Sequence, residues 1–291
     1  MRLIAPNFIG IGVMKSATTW ISQCLREHPE IYISEIKEIH YFSANYGKGS
    51  DWYLKHFIKS AGYSAKGEFS LSYFDDIQYV NRIKADLGNV KILINLRDPV
   101  SRFISHIKHI YRVENIPDSH RKYYIDTNHF NYIIQQYPSL LTKGIYYPMI
   151  FHCQQVFGEE NVLITTKEDI DKDPKKVLEL IFKFLEVDYE FEPSILQKNV
   201  SIGIIPKYIF LETLRVKLYR YSKQFFPKII LLLRKYRISE IYRKLNTSAQ
   251  EISLDKNVIK LLYQYYWDDL ELINNKLHIN TTNWKYNENK N

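Results

Sequence analysis

A chain of 291 residues with 45% hydrophobic and 25% charged residues, 10 glycines and 10 prolines has a globular composition, which excludes collagen-like, low-complexity and wholly disordered classes. Its net charge of +8 is local: 207–237 holds nine basic residues against one acid, Glu212, and the rest of the chain is balanced. That pattern predicts an anion-facing surface and not a general nucleic-acid binder; no apolar run approaches the roughly 20 residues that cross a bilayer, and no signal-peptide pattern opens the chain, so a cytoplasmic protein is expected.

In chain order, 8–13 (FIGIGV) reads as a strand and 18–28 as a helix stopped by Pro29. A second apolar strand at 90–96 runs into a helix over 99–112, with Asp98 at its cap and Pro99 in its first turn. A third strand at 162–166 precedes a helix opened by Asp173-Pro174 and running to about 186. These strands are apolar throughout and do not alternate, as in a parallel sheet covered on both faces. Within 207–237, Leu211, Leu214, Leu218, Tyr221 and Phe225 recur at helical spacing, and a last periodic segment runs from 254 before Trp284. With no repeat, linker or composition break, the expectation is an α/β fold in one domain over 1–285, with a helical C-terminal third and a polar tail at 286–291; two domains remain open. Cys24 and Cys153 match neither a disulfide framework nor a metal site and are expected to be buried free thiols.

The segment 8–20 joins an apolar strand to a helix through Lys15, Ser16, Ala17, Thr18 and Thr19. Backbone N–H groups at a helix N-terminus, a lysine and several hydroxyls are the parts of a phosphate cradle. The G-x-x-x-x-G-K-[ST] loop of nucleotide triphosphatases is not met, because Met14 stands where its second glycine belongs. The plainer alternative is a strand-to-helix turn with a solvated lysine. Further on, Arg97 leaves a strand end and Ser105 lies on the following helix, an arrangement able to grip a second phosphate. Here the alternative is an Arg97 paired with a carboxylate and an ordinary helical serine.

Together, GVMKSATTW (12–20) and LRDPVSRFISH (96–106) resemble the two cofactor signatures of sulfotransferases that use 3′-phosphoadenosine 5′-phosphosulfate (PAPS). Segments 37–42 (KEIHYF) with 45–53, 67–73 (GEFSLSY), 144–146 with 157–158, and 261–284 are similar to the heparan-sulfate-type branch and its bacterial relatives. The resemblance implies a P-loop-like three-layer fold and a bacterial cytoplasmic enzyme. Lys15, Ser16, Ala17, Thr18, Thr19 and Trp20 would then hold the 5′-phosphosulfate, with Lys15 also neutralising the leaving phosphate oxygen. Arg97 and Ser105 would hold the 3′-phosphate, with Lys207 touching it. Glu38 matches the catalytic base, His40 is the alternative base, and Tyr41 and Phe42 would limit solvent around them.

The implied product is 3′,5′-adenosine bisphosphate (PAP). The acceptor would be a hydroxyl or amine of a glycan, lipid or small natural product, with no metal, no nucleic acid, and peripheral membrane contact through 207–237. Two departures stand out. Phe69 replaces the lysine many relatives place after Glu68, and Leu71 replaces their proline. Segment 199–207 resembles the shorter bacterial form of the C-terminal cofactor loop. The competing readings are a P-loop-type nucleotide-dependent kinase, which Met14 disfavours, and a non-catalytic module that binds anionic polymers through 207–237.

Overall fold

The computed structural model describes residues 4–113, 122–196 and 251–284, together with Tyr208, Leu211, Leu214, Arg215, Leu218, Tyr242 and Asn246. Lys207 and most of 207–237 lie outside the described residues, as does the 286–291 tail. The elements begin with β1 (Phe8–Gly12), α1 (Thr18–Glu27), β2 (Ile31–Ile33), α2 (Ser50–Leu54), β3 (Ala65–Phe69), α3 (Ile77–Leu87), β4 (Lys91–Leu96) and α4 (Pro99–Val113). They continue with β5 (Tyr124–Ile125), α5 (Thr127–Gln136), α6 (Ser139–Thr142), α7 (Tyr147–Phe157), β6 (Val162–Thr166), α8 (Lys167–Lys172), α9 (Pro174–Leu185), β7 (Ser253–Leu254) and α10 (Lys256–Leu277). Two compact units result, one made of 1–102, 141–201 and 263–286, the other of 103–140, 202–262 and 287–291.

In the first unit the strands form one parallel sheet in the order β2-β3-β1-β4-β6. The predicted apolar strands are β1, β4 and β6, and every residue of β1 is buried. Phe8, Phe69 and Leu93 share one core with Trp20, Ile21 and Leu25 of α1 and Leu178, Ile181 and Phe182 of α9. Alternate residues such as Ile92 and Ile94 point to the opposite face, where α7 packs with α3 and along β4 and β6. This is the three-layer arrangement of a P-loop-like fold. Asp173 caps α9 by accepting from the Lys176 N–H at 3.0 Å, with Pro174 in the first turn as its sequence predicts.

Two features of β1 place the site. Its register with β4 shifts between Gly10 and Gly12, a bulge one residue before the strand ends. A Cβ at Gly10 would collide with the Phe69 ring, and one at Gly12 would lie 2.8 Å from Phe74 Cβ, so both glycines admit aromatic rings against the strand. The chain leaves β1 toward β2 on one side and leaves β4 toward β6 on the other. The carboxyl ends of β1 and β4 therefore flank a topological switch point, where parallel sheets open a crevice.

The second unit contains most of α4, α5, the start of α10 and a two-stranded parallel pair of β5 and β7. Phe103 and Phe130 pack at 5.8 Å between ring centres, and the Tyr124 hydroxyl donates to Asp255 at 2.6 Å. The β5–β7 pair has no sequence signal, because two-residue strands are too short for any period. Cys24 and Cys153 are buried free thiols, each pushed up to about 12 chiefly by burial. No helix among the described residues is long and apolar enough to cross a membrane.

Candidate active site

The loop after β1 turns by alternating backbone handedness: Lys15 at φ 77° and Ala17 at φ 65° are left-handed, with Ser16 between them. Such alternation gathers successive N–H groups into an anion-sized concavity. It leads directly into α1, whose opening N–H groups at Thr18 and Thr19 precede the first helical acceptor, which the Trp20 N–H meets at Ala17 O. The Ser16 hydroxyl donates to Val13 O at 2.6 Å, and the Ser16 carbonyl accepts from Asn95 Nδ2. Asn95 in turn accepts from the Thr165 hydroxyl at 2.6 Å, and its carbonyl takes the Val13 N–H at 2.9 Å. The whole turn is thus pinned to β4 and β6.

Residues 13–20 include a lysine, three hydroxyls and no acid, so the donor set fits a phosphate or sulfate and disfavours a cation. Two expected ligands differ in detail. Ser16 is fully buried and its hydroxyl is committed within the turn, which leaves its backbone for an anion. The Trp20 ring lies in the core, because α1 buries that face, and the backbone N–H of Trp20 donates to Ala17 O at 2.9 Å.

Arg97, at the end of β4, donates from Nη1 to the Lys15 carbonyl at 3.1 Å, and its own carbonyl accepts from the Tyr146 hydroxyl at 2.9 Å. Glu168 is a carboxylate near Arg97; burial raises it, against the pull of the backbone N–H groups it accepts, while the Asp98 charge adds to the rise and Arg97 opposes it. Glu168 Oε1 accepts the Asp98 N–H at 3.1 Å, while Oε2 is buried with no hydrogen bond among the described residues. Asp98 caps α4 as its sequence predicts, accepting from the Ser101 N–H at 3.0 Å and the Ser101 hydroxyl at 2.6 Å. Ser105 lies on the part of α4 that belongs to the second unit.

Glu38 and His40 come together on the other side of β1, on the loop after β2. Both have left-handed backbones, at φ 59° and 54°, and Glu38 Oε2 lies 3.7 Å from His40 Nε2. Glu38 Oε2 also accepts the Leu71 N–H at 3.0 Å. A proline at 71 has no N–H to give, so this departure from the strand that 67–73 resembles creates a contact. His40 Nδ1 lies 2.8 Å from the Ser72 hydroxyl, and the His40 N–H donates to the Ser70 hydroxyl at 3.0 Å. The side chains are 25% exposed for Glu38 and 38% for His40, open enough for an acceptor to reach.

Tyr41 and Phe42 follow this pair along the loop. They are buried in the core, with Tyr41 stacked on Tyr53 at 4.5 Å and its hydroxyl on Asp86 at 3.0 Å, and they anchor the loop they follow. Beyond Ser70 lies Glu68, 1% exposed, which accepts from the Ser70 hydroxyl at 2.6 Å and the Tyr73 hydroxyl at 2.8 Å. Burial pushes the Glu68 carboxyl up to about 7, against the pull of those hydrogen bonds.

Sequence reasoning missed Asn95 as a site residue. Its signal was a lone amide inside KILINL, an otherwise apolar buried strand after its first residue. It also missed Lys37, whose Nζ donates to the Thr19 hydroxyl at 2.7 Å.

A family model described as the sulfotransferase domain matches residues 6–208. The membrane-associated sulfotransferase kil1 of Dictyostelium discoideum is 40% identical over 106 residues, 35% of this chain and 22% of that protein. Heparan sulfate glucosamine 3-O-sulfotransferase 5 of Homo sapiens is 28% identical over 242 residues, 79% of this chain and 68% of that protein. Among solved structures, a sulfotransferase from Alicyclobacillus acidocaldarius shares the fold with a TM-score of 0.67 at 21% identity, over 97% of this chain and 99% of that one.

Proposed function

The chain belongs to the PAPS-dependent sulfotransferase family, and on that premise we propose that it transfers a sulfuryl group from PAPS to a hydroxyl or amine of a glycan, lipid or small natural product. The observation that carries this reading is the acid-free turn between β1 and α1, with Arg97 on its backbone and Glu38 across β1. Bound there, PAPS supplies the sulfuryl group and a phosphate leaving group.

Lys15 supplies the positive charge for the oxygen that becomes negative as the bond to sulfur breaks. The N–H groups of 16–19 and the hydroxyls of Thr18 and Thr19 hold the phosphate end, and Arg97 serves the 3′-phosphate. Ser105 and Lys207 join this reading on sequence alone. Glu38 takes the acceptor's proton. It is favoured over His40 because both imidazole nitrogens already face partners, Ser72 and Glu38, whereas Glu38 Oε1 has no hydrogen bond among the described residues. The heparan sulfate relatives favour a glycan among the acceptor classes.

Parallel calorimetric titration with PAP, magnesium ATP and heparin tests the assignment. Binding of PAP without magnesium ATP is the expected result. Binding of magnesium ATP alone would replace the reading with a kinase, and binding of heparin alone would leave a module for anionic polymers.

A further inference from the structure

Strand β3 lacks the lysine that the family resemblance places at 69. Phe69 there is 4% exposed and packs in the core with Trp20, Ile21 and Leu93, its ring over Gly10. An ammonium in that position would be buried among apolar side chains at a cost of several kcal/mol. A donor with two anionic groups at its 5′ end still needs more than the single charge of Lys15. That charge must reach the turn from another element.

Lys37 makes the reach. It stands on the loop after β2, and its Nζ donates to the hydroxyl of Thr19 in the first turn of α1, at 2.7 Å. The loop beneath it is pinned on both sides. The Ser34 N–H donates to Gly67 O at 3.0 Å, and the Ser34 carbonyl accepts from Arg26 Nη2 at 2.8 Å. On the other side the Glu38 N–H donates to Phe69 O at 3.2 Å. The nearby Glu35 is taken by Lys59 at 2.8 Å, and Lys37 makes no ion pair among the described residues. A cation held against a neutral hydroxyl keeps its charge uncompensated, and two of its three N–H donors lie beyond this bond.

We propose that Lys37 is the second cation of the phosphosulfate site, binding the 5′ end of the donor from the β2 loop in place of the lysine that β3 lacks. The proposal rests on the sulfotransferase reading and names a residue for it. It also sets the cation one residue before Glu38, so that one loop carries both the base and a contact to the donor's 5′ end.

The test is calorimetric binding of PAP and of adenosine 3′-monophosphate, which lacks the 5′-phosphate, to the wild type, Lys37→Met and Lys37→Arg, with thermal unfolding to show that each variant folds. Lys37→Met is expected to lose about ten- to a hundredfold in PAP affinity, the range of one charge-assisted hydrogen bond, and to keep its affinity for adenosine 3′-monophosphate. Lys37→Arg should stay within a few-fold of wild type for both ligands. Wild-type PAP affinity in a folded Lys37→Met, or equal losses for the two ligands, would overturn the proposal while leaving the sulfotransferase reading intact. A wild type that fails to bind PAP would remove both.

Discussion

The turn at Lys15 and the loop at Glu38 flank the same strand, yet they are held in place by different means. The turn is a backbone object: Val13, Lys15 and Ser16 offer carbonyls to Ser16 itself, Arg97 and Asn95, and its shape follows from the end of β1 and the start of α1. The loop is held mainly through side chains: the Ser70 and Ser72 hydroxyls meet His40, and the Glu38 carboxylate takes the Leu71 N–H, with Glu68 buried behind them. A site built on backbone tolerates change in its outward side chains, whereas one built on hydroxyls and carboxylates answers to pH.

The sharpest division between the two should come from Glu38→Gln. Turnover with a phenolic acceptor is expected to fall by about a hundredfold to ten-thousandfold, with PAP affinity little changed and the acidic limb of the pH–rate profile lost. Retention of both turnover and limb, with the limb removed instead by His40→Ala, would move the base to His40. On the other side of β1, Lys15→Ala should lower turnover by about a hundredfold to a thousandfold and PAP affinity by much less, since its charge matters most as the leaving oxygen ionises. A variant with normal turnover would take Lys15 out of the chemistry.

Glu68 tests whether the loop alone is pH-sensitive. Its folded carboxyl titrates near 7, above the ordinary glutamate range, so the stability gained from holding its proton is complete below the unfolded value and is lost as pH rises through about 7. Unfolding free energy should decline from pH 5 to 8 by up to about 3 kcal/mol, and Glu68→Gln should flatten that decline. The groups facing it, Tyr53 and Tyr73, are themselves pushed upward and stay protonated over this window. Parallel curves for the two proteins in denaturant titrations would show that Glu68 does not titrate there. The smallest effect is assigned to the turn: Asn95→Leu strands the Ser16 carbonyl and the Thr165 hydroxyl, costing about 1–3 kcal/mol of stability at every pH. A pH-dependent loss would contradict the backbone description.

The same contrast decides what the sequence could reveal. The turn was legible because its parts are contiguous: an apolar strand, Lys15, small and hydroxyl residues and a helix lie within 8–20, and the cap at Asp98 is equally local. Glu38 and His40 were named through resemblance, as alternative bases, and nothing in the sequence paired them. Their supports at Ser70, Leu71 and Ser72 come from 30 to 33 positions along the chain, and no period or spacing links such residues. Asn95 was hidden for a related reason. It meets its partners at Ser16 and Thr165 only because β1, β4 and β6 are neighbours in the sheet.

The Leu71 amide on Glu38 also bears on how such a chain should be compared with its relatives. Scored letter by letter, position 71 is a lost motif residue; counted in donors, it is a gain, because the carboxylate holds an N–H that a proline cannot offer. No alanine scan would detect the contact, since every residue but proline supplies the same amide. The position is therefore free to drift among nineteen side chains while its chemistry stays fixed, and family profiles that weigh identity alone will misjudge it.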